Sequence, residues 1–162
     1  FTIRDSLSDS RSYRAYFKGA EEYDRWWKYT TSLLPMTGPV GESNFEDVKG
    51  RDWTKHGNPV ITDEDKLFDQ NVAYFDGVDD YLRCDNISAL LAGQAEFTIE
   101  MWLFPMQQAQ NPYIVAANTF DGGNRFLWGL NRLYLTSANA FTYPRVENYK
   151  WHHMALLFDH GQ

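Results

Sequence analysis

The sequence predicts an all-β protein, an antiparallel β-sandwich preceded by an N-terminal arm or short helix. Three observations carry that expectation. From Asn71 onward, short runs of residues alternate with a period of two, the repeat of a strand with one face buried. The runs are rich in Tyr, Phe, Trp, Val and Ile, which suit a pleated, half-buried surface. Turn residues separate them at short intervals, and no long helical pattern intervenes.

The arm, residues 1–29, stands apart from the sandwich at 30–162. It carries Arg4, Arg11, Arg14, Lys18, Arg25 and Lys28 beside five acids. Tyr13, Tyr16, Phe17, Ala20, Tyr23 and Trp27 recur at three- and four-residue steps, the pattern of one helix face. Gly19 opposes a helix. The alternative is an extended arm whose aromatics lie on a neighbouring surface. Arg, Tyr and Trp together are what anchors an interface, so the arm is expected to contact another chain.

Ser32-Leu33-Leu34 predicts a short strand ended by Pro35. A turn-rich excursion follows, punctuated by Gly38, Pro39, Gly41, Asn44, Gly50, Gly57, Asn58 and Pro59. Within it Val60 and Ile61 predict one short strand. The stretch 72–84 predicts a hairpin around Asp76-Gly77, with Asp79-Asp80 keeping the turn polar. Asn86–Leu91 suits one helical turn. Phe97–Phe104 predicts a strand stopped by Pro105. Further strands are expected at Tyr113–Ala117, Arg125–Leu130, Arg132–Thr136 and Trp151–Phe158. Gly122-Gly123-Asn124 and Leu130-Asn131 are the turns between them. Phe75, Ile99, Trp102, Leu103 or Phe104, and Trp151 are the expected buried positions.

The 162 residues suit one domain with an arm. A net charge of −7 with scattered Lys and Arg argues against nucleic acid, which asks for clustered basic residues. No apolar run approaches the ~20 residues of a membrane span. Cys84 is the single cysteine, so no intrachain disulfide is possible, and a buried thiol is expected.

Three phrases then combine. They are Phe75-Asp76-Gly77-Val78-Asp79-Asp80-Tyr81-Leu82; Phe97-Thr98-Ile99-Glu100 with Trp102; and Trp151-His152-His153 with Ala155. In this order and spacing they resemble the laminin-G-like, concanavalin A-like lectin family, over about Tyr29 to Gln162. Ser32–Gly38, Phe45-Glu46-Asp47 and Gly57–Ile61 resemble the opening of such domains in tailed-phage structural proteins. The resemblance implies a jelly-roll sandwich and a non-catalytic recognition or attachment module. It implies a glycan or cell-surface polysaccharide as ligand, and a place on a phage virion or another extracellular surface. Other virion proteins, or copies of this chain held through the arm, are the implied partners. A purely structural virion protein, as capsid decoration or tail component, is the second reading. A binding module of a secreted glycoside hydrolase is the third. Family members continue past W-H-H with several more strands, so the expectation is either that the sequence is a piece of a longer chain or that a partner supplies the missing strands.

Candidate chemistry is sparse. Asp76, Asp79 and Asp80 share one turn, and calcium asks for several oxygen ligands on a flexible loop. Turn chemistry with solvated carboxylates is the alternative. Laminin-G-like domains often bind calcium at a rim loop, so calcium is the one cofactor the resemblance implies. Trp128, Tyr134, Phe141 and Tyr143 are the candidate sugar-stacking rings, with core filling as the alternative. His152 and His153 are adjacent on a strand and face opposite sides, so they do not chelate one metal together. Glu100 and Asp159 lack the close alternating spacing of a glycosidase pair. No Ser/His/Asp or Cys/His arrangement has supporting context. An enzyme is not expected.

Overall fold

The computed structural model describes residues 27–85, 96–106, 113–120, 124–135 and 140–159. All its described strand pairings are antiparallel. The helical element among these residues is a single 3-10 turn at Trp27–Tyr29. No helix among them is long and apolar enough to cross a membrane. Most of the arm (1–26) and the helical turn expected at Asn86–Leu91 lie outside the described residues. The chain falls into two compact units, Phe1–Cys84 and Asp85–Gln162.

The first unit holds β1 (Thr54–His56), β2 (Val60–Leu67), β3 (Gln70–Tyr74) and β4 (Tyr81–Arg83). The strand expected at Ser32-Leu33-Leu34 does not form. Residues 30–53 run without regular strand, fastened by single bonds such as Val48 N–H to the Leu33 carbonyl at 2.9 Å. The Val60-Ile61 strand extends to Leu67 and pairs with β3. Its tip is a two-residue loop in which Phe68 and Asp69 both take positive φ, at 50° and 60°. That handedness matches the twist of the flanking strands.

The hairpin expected across 72–84 is corrected. β3 pairs with β2, whereas β4 pairs with β1. The cause is the Asp80 carboxylate. Its Oδ1 accepts the Asn58 N–H at 2.5 Å and its Oδ2 accepts the Asp76 N–H at 2.9 Å. The turn after β3 is thereby docked on the β1–β2 loop, and the chain leaving it runs onto β1. Tyr81 then stacks on His56, its register partner, with ring centroids 4.3 Å apart.

Among the described residues the second unit contains two sheets. β5 (Glu96–Leu103) pairs along its full length with β10 (His152–Asp159). β6 (Tyr113–Phe120), β7 (Asn124–Gly129), β8 (Arg132–Tyr134) and β9 (Ala140–Thr142) form a four-stranded sheet in that order. Ala117, Phe126, Trp128 and Leu133 are buried on one side of this sheet. Phe97, Ile99 and Met101 from β5, and Met154, Leu156 and Phe158 from β10, pack against them. The two sheets of this unit therefore share one core. The Phe97 ring meets Phe126 edge-on at 6.1 Å and stacks on Phe158 at 4.9 Å.

Strand alternation decides which expected core residues stay out. Burial along β5 alternates strictly, and Trp102 falls on the side of Glu96, Thr98 and Glu100. It is 45% exposed rather than buried. Phe75, at 37% exposed, lies past the end of β3 and rests on Phe45, with ring centroids 6.2 Å apart. Ile99, Leu103, Phe104 and Trp151 are half-buried, and Cys84 is buried.

Candidate functional site

The three acids of the first unit converge. One carboxylate oxygen from each of Asp76, Asp79 and Asp80 lies within 4.8 Å of the others. Much of their acceptor capacity is already engaged. Asp80 holds the Asn58 and Asp76 N–H groups, and Asp76 Oδ1 accepts the Val78 N–H at 2.8 Å. Asp76 and Asp79 are exposed, and Asp80 is half-buried. The cluster thus organises its own turn, as Asx side chains do.

The same contact fixes Gly57. Its φ is +69°, and an added Cβ would sit 2.3 Å from Asp80 Oδ1 and 2.9 Å from the Asp79 carbonyl oxygen. Gly57→Ala combines a left-handed backbone penalty with a steric clash, so it is expected to cost about 2–4 kcal/mol. Gly77, at φ +77° with open space around it, is the control. Gly77→Ala carries the backbone penalty alone, about 1–2 kcal/mol. Denaturant unfolding of the two variants reads the difference.

The four rings expected to stack on a sugar occupy different environments. Trp128 is 3% exposed and belongs to the core, which corrects its expected role: its face is covered. Tyr143 packs against the same core, and its hydroxyl donates to the Gly129 carbonyl. Burial raises the Tyr143 pKa above its ordinary 10.0, opposed by hydrogen bonds from the Trp128 side chain and the Arg132 backbone. Tyr143 therefore ties the chain after β9 to the end of β7. Phe141 is 55% exposed on β9, opposite Leu133. Tyr134 is half-buried on the outward side of β8.

Around Tyr134 the outward side of the sheet gathers residues that the sequence did not single out. Leu133 turns into the core, so Arg132 and Tyr134 turn away from it together. Arg132 Nη1 donates to the Tyr134 hydroxyl at 3.0 Å, and the guanidinium lies 5.9 Å from the Tyr134 ring centroid. Tyr113, 46% exposed, meets Tyr134 edge-on at 6.3 Å. Thr142 is the exposed register partner of Arg132. Arg132 Nε is buried with no hydrogen-bond partner among the described residues. An unmet buried donor costs about 1–3 kcal/mol. The one signal in the sequence was positional: Arg132 and Tyr134 flank an apolar residue directly after a turn.

The β5–β10 pair presents a second outward face. His153 lies opposite Trp102, with ring centroids 5.0 Å apart, and its Nε2 is 3.7 Å from Glu100 Oε2. His152 points the other way and bonds the Glu147 carbonyl at 2.9 Å, so the histidines diverge as strand geometry requires. Glu100 pairs with Ala155, while Asp159 pairs with Glu96. Their offset of four residues along the strands is about 13 Å, beyond the reach of a glycosidase pair.

Comparison of the chain with protein families, curated proteins and solved structures gives no match.

Proposed function

We propose that this chain is a non-catalytic recognition module with a laminin-G-like, concanavalin A-like jelly-roll fold. It binds a glycan or cell-surface polysaccharide from a phage virion or another extracellular surface. The observation that carries the reading is in the second unit. There two antiparallel sheets share an aromatic core while Tyr113, Tyr134 and Phe141 remain at least partly accessible. Accessible rings beside polar groups suit the C–H faces and hydroxyls of a sugar. The Phe-Thr-Ile-Glu phrase that carries the family resemblance falls on β5, and the Trp-His-His phrase runs from Trp151 into the start of β10, its partner strand at this core.

The test is a glycan and polysaccharide array probed with the full chain, run with calcium and again with EDTA. Saturable binding to a restricted set of glycans is expected. Dependence on calcium that Asp76→Asn and Asp79→Asn abolish would assign the ion to the turn of Asp76, Asp79 and Asp80. No binding to any glycan in either condition would overturn the reading and favour a structural virion role, which a copy-number measurement on particles then tests.

A further inference from the structure

We propose that Arg132, Tyr134 and Tyr113 form a site for a carboxylate-bearing sugar, a uronic or sialic acid unit of an acidic glycan. The inference rests on the glycan-binding reading above and names its ligand class. All three side chains sit on the outward side of the four-stranded sheet. Tyr113 pairs with Gly129 on β7, and Tyr134 pairs with Leu127 two residues before it. Between the two tyrosines the glycine carries no side chain, and their rings close to 6.3 Å over this stretch.

The guanidinium decides the ligand's charge. No carboxylate of a described residue pairs with Arg132, whose Nη1 donates instead to the neutral Tyr134 hydroxyl. On the edge formed by Nε and Nη2, Nε is buried with no partner among the described residues. Two parallel N–H groups on one edge match the two oxygens of a carboxylate. Nε is buried, so the proposed bond requires the Arg132 side chain to turn until Nε meets the ligand. The sugar ring would then lie against Tyr113, with the Thr142 hydroxyl within reach of a ring hydroxyl. The net charge of −7 repels a polyanion at long range. Salt screens that repulsion beyond about 8 Å, so the local contact decides.

The probes are polygalacturonate, hyaluronate and sialyllactose, each beside its methyl ester, titrated calorimetrically against the full chain. At least one free acid should bind about tenfold or more tighter than its ester. Arg132→Lys keeps the charge but loses the fork, and Arg132→Gln loses both; each should weaken that binding about tenfold or more. Tyr113→Ala, at an exposed position, should weaken it with the melting temperature unchanged, which keeps the test open if an Arg132 variant fails to fold. Equal binding of acid and ester, or unchanged affinity in Tyr113→Ala, overturns this site and leaves the glycan reading standing. Binding to neutral glycans alone does the same. Absence of binding to every glycan, acidic or neutral, overturns both.

Discussion

Trp128→Ala is expected to destabilise the second unit by about 3–5 kcal/mol, the range for removing a buried aromatic ring. The ring is 3% exposed and sits with Phe126, Ala117 and Leu133 at the centre of the shared core. Removing it takes contacts from both sheets at once, and the packed surroundings relax only partly into the hole. Trp128→Phe keeps most of the volume and should cost far less, although it also removes the indole hydrogen bond to Tyr143. Two compact units need not unfold together, so the measurement should be local. Amide exchange along β6, β7 and β8 should accelerate in Trp128→Ala and stay close to wild type across β2 and β3. A variant that keeps its exchange protection but loses glycan binding would restore Trp128 as a ligand residue.

The Trp128 case shows where legibility stopped. The strands at 96–103, 113–120, 124–129 and 152–159 follow closely from their composition and turns, because strand formers bounded by Gly, Asn and Pro have few other solutions. Which face is buried is harder to read. Phe126-Leu127-Trp128 is apolar at every position, so its period says nothing about direction. The structure resolves it through register: Trp128 lies opposite Val115 and Leu133, both turned inward. Trp102 errs the other way, because a large ring looked like core while its strand phase placed it beside Glu100.

Partners distant in sequence were less legible still. The turn at Asp76–Asp80 was visible, but its side-chain bond to Asn58, 22 residues away, redirects β4 to β1. No local pattern encodes that bond. Arg132 was passed over for a similar reason. An arginine next to a turn looks solvated until the fold places Tyr134 and Tyr113 around it.

Asp47→Ala is expected to have the largest effect in the first unit, about 3–5 kcal/mol, for a reason the sequence does not display. Asp47 is 8% exposed in the irregular stretch before β1. Its Oδ1 accepts the backbone N–H groups of Leu33 at 3.1 Å and Lys49 at 2.7 Å. Its Oδ2 accepts the Ser32 hydroxyl at 2.5 Å and the Trp53 indole N–H at 3.0 Å. One carboxylate thus does for residues 32–53 what a strand ladder does elsewhere. Alanine leaves four donors without their acceptor, and each charge-assisted bond is worth about 1.5–3 kcal/mol, with incomplete additivity.

Asp47→Asn separates charge from shape. In either orientation the amide turns an NH2 toward one pair of donors. Facing Ser32 and Trp53 is the cheaper choice, because the serine hydroxyl can rotate to accept whereas the indole can only donate. The cost should therefore fall between wild type and alanine, about 2–3 kcal/mol.

The same network fixes the pH dependence. Burial pushes the Asp47 carboxyl up, but the bonds from Ser32, Leu33, Trp53 and Lys49 together outweigh it and hold the group below its ordinary 3.8. A depressed carboxylate contributes stability that is present above the unfolded value and lost as pH falls through the folded one. The Asp47 contribution should accordingly be intact at neutral pH and decline below about pH 3.8. The Trp53 indole N–H resonance, followed by NMR through acid and denaturant titrations, reads this directly. Wild type should lose stability over that acid range, and Asp47→Asn, having no carboxylate to protonate, should lose less. Identical acid profiles for the two proteins would remove Asp47 as the organiser of this unit.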